Sequence, residues 1–211
     1  MLKLIIIAGI VCFANSVWAQ YAGFTPITDI SSFSSAFTAA SQKTSTIKSD
    51  FVQEKELSML SEKIVSKGKC WFKKNNLVRM EYTHPFQYLM IINNDKVYIK
   101  EGQKEITVSA RSNKLFQQVN KIMMDCMQGT ALSNPDFKTR VFENKTSYLV
   151  ELIPVASGIK TLFKNIKVLV DKRDYAANSI EMQELSGDHT IIRFVNRELN
   201  SNLQDALFTI R

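Results

Sequence analysis

Residues 47–54 alternate without a break. Ile47, Ser49, Phe51 and Gln53 fall on one side of an extended chain, and Lys48, Asp50, Val52 and Glu54 on the other. A period of two is what a strand with one face in a core produces. The same reading places strands at about 64–74, 77–83, 87–93, 96–101, 104–109, 136–143, 146–153, 162–171, 178–185, 189–197 and 206–210. Turn chemistry separates them: Asn75-Asn76, His84-Pro85, Asn93-Asn94-Asp95, Gly102, Glu143-Asn144-Lys145, Asp171 to Tyr175, and Ser186-Gly187-Asp188. Two segments change period. Asp29 is placed as an N-cap before Ile30, Phe33, Phe37 and Ala40, which predicts a helix ending near Thr44. Leu115, Phe116, Val119, Ile122, Met123, Cys126 and Met127 predict a second helix over 112–128. About 11–12 short antiparallel strands with two helical insertions predict a mainly β fold with α, a strongly curved sheet or partly closed barrel. Its helices are expected to cover the apolar mouth or concave side.

Parity assigns the faces. Cys70, Phe72 and Lys74 share one side of their strand; Trp71 and Lys73 share the other with Lys67 and Lys69. On the next strand Val78, Met80 and Tyr82 oppose Leu77, Arg79 and Glu81. Charged sets belong in solvent, which turns Cys70, Phe72, Val78, Met80 and Tyr82 inward. Trp71 is left outside among lysines, to be covered by a helix or a loop edge.

The first nineteen residues stand apart from this pattern. Met1-Leu2-Lys3 is a short basic start, Leu4 to Phe13 an apolar run, and Val17-Trp18-Ala19 a peptidase-type end. This order predicts a secretory signal over 1–19, cleaved after Ala19, too short to span a membrane. Cys12 lies inside the apolar run after the large Val11, which argues against lipid attachment and for a soluble mature protein from Gln20. No repeat, low-complexity run or linker follows, so 20–211 reads as one domain. Without Lys3 there are 26 basic and 20 acidic residues, a mature charge near +6. On an exported protein that charge suits an anionic membrane surface or acidic partners better than nucleic acid, and a solvated basic surface with no specific partner accounts for it equally well. Cys70 and Cys126 either pair, as export permits, or remain buried apolar residues.

Three stretches carry a resemblance: "FVQEK" (51–55), "SKGKCWFKKNNLVRMEYTHP" (66–85) and "GDHTIIRFVNRELNSNLQDALFTI" (187–210). Together they are similar to the periplasmic outer-membrane lipoprotein carrier family, LolA. The resemblance implies an unclosed antiparallel β-barrel with helices as a lid over an apolar cavity that receives acyl chains. It implies that Ile47, Phe51, Cys70, Phe72, Val78, Met80 and Tyr82 line that cavity. Phe116, Val119, Ile122, Met123 and Met127 then belong to a lid helix. Where related chains carry Arg-Pro, this one has Lys74-Asn75. Lys74 keeps the charge of a lid-gating residue but lacks the planar fork of donors. The implied partners are triacylated lipoproteins, an inner-membrane lipoprotein-releasing ABC transporter and, where one exists, an outer-membrane receptor. A monomeric shuttle is implied.

Three functional classes follow. The leading one is a periplasmic carrier, not an enzyme, with no cofactor and no metal. Met123, Met124 and Met127 suit it, because unbranched side chains repack against different guests. The alternative is an envelope sensor of the same fold that binds lipids or lipoproteins. A lipid hydrolase fits poorly: His84 precedes a proline at a turn, His189 starts a strand, and no Gly-x-Ser-x-Gly or metal-spaced histidine pair occurs.

Overall fold

The alternating segments become strands close to where the pattern puts them. The computed structural model describes residues 21–60, 62–109 and 114–210, with side chains at 117, 118 and 120–126 of the second helix. The first half of the chain gives β1 (Thr25–Pro26), α1 (Ile30–Lys43), β2 (Thr46–Leu57), β3 (Glu62–Lys73), β4 (Leu77–His84), β5 (Tyr88–Asn93), β6 (Lys96–Glu101) and β7 (Lys104–Ser109). The second half gives α2 (Lys114–Gln128), β8 (Phe137–Glu143), β9 (Ser147–Pro154), a one-turn α3 (Ser157–Lys160), β10 (Phe163–Asp171), β11 (Ala177–Glu184) and β12 (His189–Leu199).

Among the described residues, all twelve strands belong to one antiparallel sheet, in the order β1-β8-β9-β10-β11-β12-β2-β3-β4-β5-β6-β7. Its edges, β1 and β7, do not pair with each other, so the barrel is not closed. The connection from β7 to β8 therefore runs from one edge of the sheet almost to the other. α2 lies within that connection and crosses the inner face of the middle strands on the way.

Both helices have local reasons to start or stop. The Asp29 carboxylate accepts from the backbone N–H groups of Ser31 and Ser32, each at 3.1 Å, which satisfies two orphan donors of α1. α2 ends at Gly129, whose φ of 75° is in the left-handed region. Thr130 N–H then reaches back to the Asp125 carbonyl at 2.9 Å, the bond that closes such a helix end. A Cβ on Gly129 would also meet Ser41 Cβ at 2.9 Å, so glycine is what lets the two helices touch.

Register carries the inner core. Ile47 opposes Phe72, which opposes Val78, then Ile92, then Val97. One row along, Ser49, Cys70, Met80, Met90 and Ile99 are aligned. The next row is Phe51, Gly68, Tyr82 and Tyr88. Of these rows, Phe51, Cys70, Phe72, Val78, Met80 and Ile92 join Val150, Leu152, Ile166, Val168, Ile180 and Ile192 of the other half in one buried cluster.

The outer face corrects two expectations. No strand forms at 206–210; the segment holds a 3-10 turn, Asp205–Phe208. It lies over interior strands whose ladders are already paired, so no free strand edge is there to receive it. Side chains hold its carbonyls instead: Arg79 Nη1 donates to Leu207 O at 2.9 Å and Asn93 Nδ2 to Phe208 O at 3.1 Å. The outer side of β3–β6 is consequently not a purely solvated surface. Trp71, Leu77 and Leu89 pack there beneath Leu203, Leu207, Phe208 and Ile210, and this segment is what covers Trp71. Elsewhere on the outer face Glu151, almost wholly buried, accepts from Tyr21 Oη and from Arg140 Nε, each at 2.6 Å. A buried carboxylate needs such partners.

Candidate functional site

Between the helices and the middle strands lies a cavity of about 40 Å³. That is room for a water-sized guest, so anything larger requires the helices to move. Its apolar liners include Ile47, Cys70, Ile180, Phe194, Met123 and Cys126, and its polar liners are Ser41, Thr44, Ser49, Asp174 and Arg197.

The seven residues expected on the inner face all share it. Phe51, Phe72, Val78 and Met80 are 1–2 % exposed and Cys70 3 %, while Ile47 and Tyr82 are partly buried against the same cluster. Only Ile47 and Cys70 touch the cavity itself. The others sit in packing contact around it. Tyr82 donates to Gln53 Oε1 at 3.0 Å and meets the edges of Phe51 and Tyr88, and burial pushes its hydroxyl pKa up.

Both helices cover the inner face. On α2, Ile122 is buried and Met123 lines the cavity. The side chains of Phe116, Val119 and Met127 lie outside the described residues. On α1, Phe33 and Phe37 face inward; Phe33 packs on Tyr148 and Tyr175, with ring centroids 4.3 and 6.3 Å away. Thr38 Oγ1 donates to the Gly129 carbonyl at 3.2 Å and ties α1 to the end of α2. Lys74 is not on the cavity wall. Its Nζ donates to the Gln42 carbonyl at the C-terminal end of α1, where a cation is favoured by the exposed carbonyls.

Cys70, on β3, and Cys126, on α2, are free and buried, and both line the cavity. Burial pushes each thiol up to about 12, so both are protonated, apolar liners. His189 Nε2 lies 3.1 Å from Glu181 Oε1, away from this cavity. Among the described residues, no group of three or more His, Cys, Asp or Glu side chains is arranged to hold a metal ion. No described helix is long and apolar enough to cross a membrane.

Sequence reasoning missed the second half of the wall. Ile180 and Phe194 were open to the same parity argument, since β11 and β12 alternate as β3 and β4 do. Arg197 was not. Pairing of β12 with β2 slips between Val195 and Glu198, where Asn196 adopts a φ of 53°. This bulge sets two residues against Ser49 and turns Arg197 inward against the alternation. Its side chain is 9 % exposed.

The acid groups around it are held firmly. Asp171 takes hydrogen bonds from Arg173 Nη2 at 2.7 Å, from Arg173 Nε and from the Arg173 backbone N–H at 2.9 Å. Those bonds hold its carboxyl well below the usual carboxylate range. Arg197 reaches both Asp171 and Asp174, at 3.5 and 3.3 Å.

The comparisons with known proteins agree with this architecture. A family model described as "Outer membrane lipoprotein carrier protein LolA" matches residues 42–211. No curated protein matches the chain. An uncharacterized conserved protein from Thermus thermophilus is similar in structure, with a TM-score of 0.51 at 10 % identity, over 83 % of this chain and 92 % of that one. A DUF1329 family protein from Desulfovibrio piger gives 0.50 at 11 % identity, over 84 % and 96 %. MucB, in the MucA/MucB complex of Pseudomonas aeruginosa, gives 0.51 at 9 % identity, over 85 % and 60 %. At these identities the likeness to solved structures is one of fold.

Proposed function

The chain belongs to the outer membrane lipoprotein carrier family, LolA, and from that membership we propose that it carries lipoproteins across the periplasm by sheltering their acyl chains. One observation carries the reading: an apolar sheet face is closed by two helices around a cavity with Ile47, Cys70, Ile180, Phe194 and Met123 on its wall. In this reading the mature protein starts at Gln20, forms one domain and is a soluble monomer. It receives triacylated lipoproteins from an inner-membrane ABC transporter and passes them to an outer-membrane receptor where one exists.

The energetics suit a carrier. Each acyl methylene moved out of water gains about 0.8 kcal/mol, so affinity is easily reached and release is the harder step. Lid helices answer that difficulty. When a chain leaves, Phe33, Phe37, Ile122 and Met123 cover the same surface again, so the exposed apolar area changes little between the two states. The inner-face residues Phe51, Phe72, Val78, Met80 and Tyr82 then meet acyl chains only after the helices shift.

MucB has the same fold, and its structure with MucA supports the alternative of an envelope sensor. That support is fold alone, whereas the family match favours the carrier. The test is capture. Mature protein is incubated with inner-membrane vesicles that release a labelled lipoprotein, and the soluble fraction is analysed by intact-complex mass spectrometry. A one-to-one complex with acylated lipoprotein is expected, and its absence with the deacylated form. Equal recovery of both forms would sink the carrier reading.

A further inference from the structure

We propose that the cavity wall around Arg197 is a head-group subsite, where Arg197 donates hydrogen bonds to the ester carbonyls of an acyl-glyceryl ligand and Asp174 and Asp171 turn away lipids bearing a phosphate there. The inference rests on the carrier reading above and adds the chemistry by which the site chooses among amphiphiles.

The first observation is placement. Arg197 would point to solvent on a regular β12; the bulge at Asn196 turns it onto the cavity wall, 9 % exposed. The second is under-use. A guanidinium has five donors, and well-made charged pairs run at about 2.7–2.9 Å. The contacts of Arg197 are long: Nη1 is 3.4 Å from Asp174 Oδ1, and Nη2 is 3.5 Å from Asp171 Oδ2 and 3.3 Å from Asp174 Oδ2. Asp171 is already satisfied from the outside by Arg173, whose side chain is 85 % exposed. Arg197 is therefore the group with donors to offer.

The third observation is charge. Arg173 and Arg197 balance Asp171 and Asp174, so there is no surplus positive charge around Arg197. A phosphate brought to Arg197 meets the Asp174 carboxylate on the same cavity wall and the Asp171 carboxylate within 3.5 Å of the guanidinium. An ester carbonyl accepts the same hydrogen bonds without that repulsion. Ile180 and Phe194 line the same cavity as Arg197, so the lining offers both parts of an acyl ester's polarity: apolar side chains for the chain and a guanidinium for the carbonyl. A lipoprotein's acyl-glyceryl group fits this description. A phospholipid offers similar carbonyls but carries a phosphate beside them.

Three short amphiphiles test it on the mature protein, by displacement of a bound fluorescent fatty acid: dioctanoylglycerol, its dioctyl ether analogue, and dioctanoyl phosphatidic acid. The native chain is expected to bind the ester about three- to tenfold more tightly than the ether, and more tightly than the phosphatidic acid. Arg197→Leu should erase the ester-over-ether preference while the dye still binds. Asp174 is 31 % exposed, so Asp174→Asn should fold normally, as melting curves would check, and strengthen phosphatidic acid binding severalfold. A triacylated cysteine peptide that weakens with Arg197→Leu as the ester does would assign the subsite to lipoproteins. Equal affinities for ester and ether in the native protein, or an unchanged phosphatidic acid affinity in Asp174→Asn, would overturn the subsite and leave the carrier reading standing. Failure of every acylated compound to displace the dye would remove both.

Discussion

Gly68 shows how much one absent side chain decides. It faces Phe51 across β2 and Tyr82 across β4, and the Phe51 ring lies over it. A Cβ at this position would stand 2.0 Å from the Glu81 carbonyl oxygen and 2.8 Å from the Phe51 ring. The carbonyl cannot retreat without breaking the β3–β4 ladder. Gly68→Ala is expected to cost about 3 kcal/mol or more by overpacking, a fall in Tm of about 10 °C for a chain of this size. Gly158→Ala is the control, since nothing lies within 4 Å of its Cβ position, and its Tm should stay within about 2 °C. Thermal unfolding of the two variants side by side checks this; equal shifts would refute the steric account. Residue orientation was legible where strands are regular. Phe51, Cys70, Phe72, Val78 and Met80 face inward because a period of two admits one alternative, and charged residues occupy most of it. Arg197 was illegible because an extra residue in a bulge reverses parity, and Asn196 is a weak flag for that.

At the scale of elements, the two helices and their attachments decide how the inner face is covered. Both were legible from their 3.6-residue spacing, α1 because Asp29 marks its start. The C-terminal segment was not. Ala206 to Ile210 is as apolar as a strand, and only the sheet order shows that no edge lies beneath it. Lys74 ties the end of α1 to the turn between β3 and β4. Its ammonium holds the last turn of α1 through the Gln42 carbonyl, and its backbone N–H bonds Ser45 O at 2.9 Å. Lys74→Met removes the first tie and keeps the second. Protection of the α1 amides against hydrogen exchange should fall about three- to tenfold, the effect of one hydrogen bond of about 1 kcal/mol. Protection in β2 and β3 should not change. Equal loss across helix and sheet would show that Lys74 supports the whole fold and does not act on the lid.

Over the whole molecule, acidic groups bind the turn after β10 to the rest. Asp171 is buried, paired with Arg173 and within reach of Arg197 and Asn178. Its carboxyl is held down in the folded state, so the unfolded chain binds its proton first as pH falls. The stabilisation is complete above the unfolded value of about 4 and is lost as pH drops toward the lowered folded value. Tm should be level between about pH 7 and pH 5 and decline below about pH 4. Asp171→Asn should flatten part of that decline, and an unchanged acid limb would show that other carboxylates cause it. The sheet order has a further consequence, in time rather than in space. β2 pairs with β12, Ile47 opposite Leu199 and Glu56 opposite His189, across more than half the chain. A polypeptide that emerges N-terminus first completes β2 to β7 long before β12 exists. Until then β2 is a bare edge, and the row from Ile47 through Phe72 and Val78 to Ile92 lacks its neighbouring strand. Closing so distant a pair is slow. The half-made sheet is therefore expected to expose this apolar row during synthesis, the stage at which a holding chaperone would bind the nascent chain.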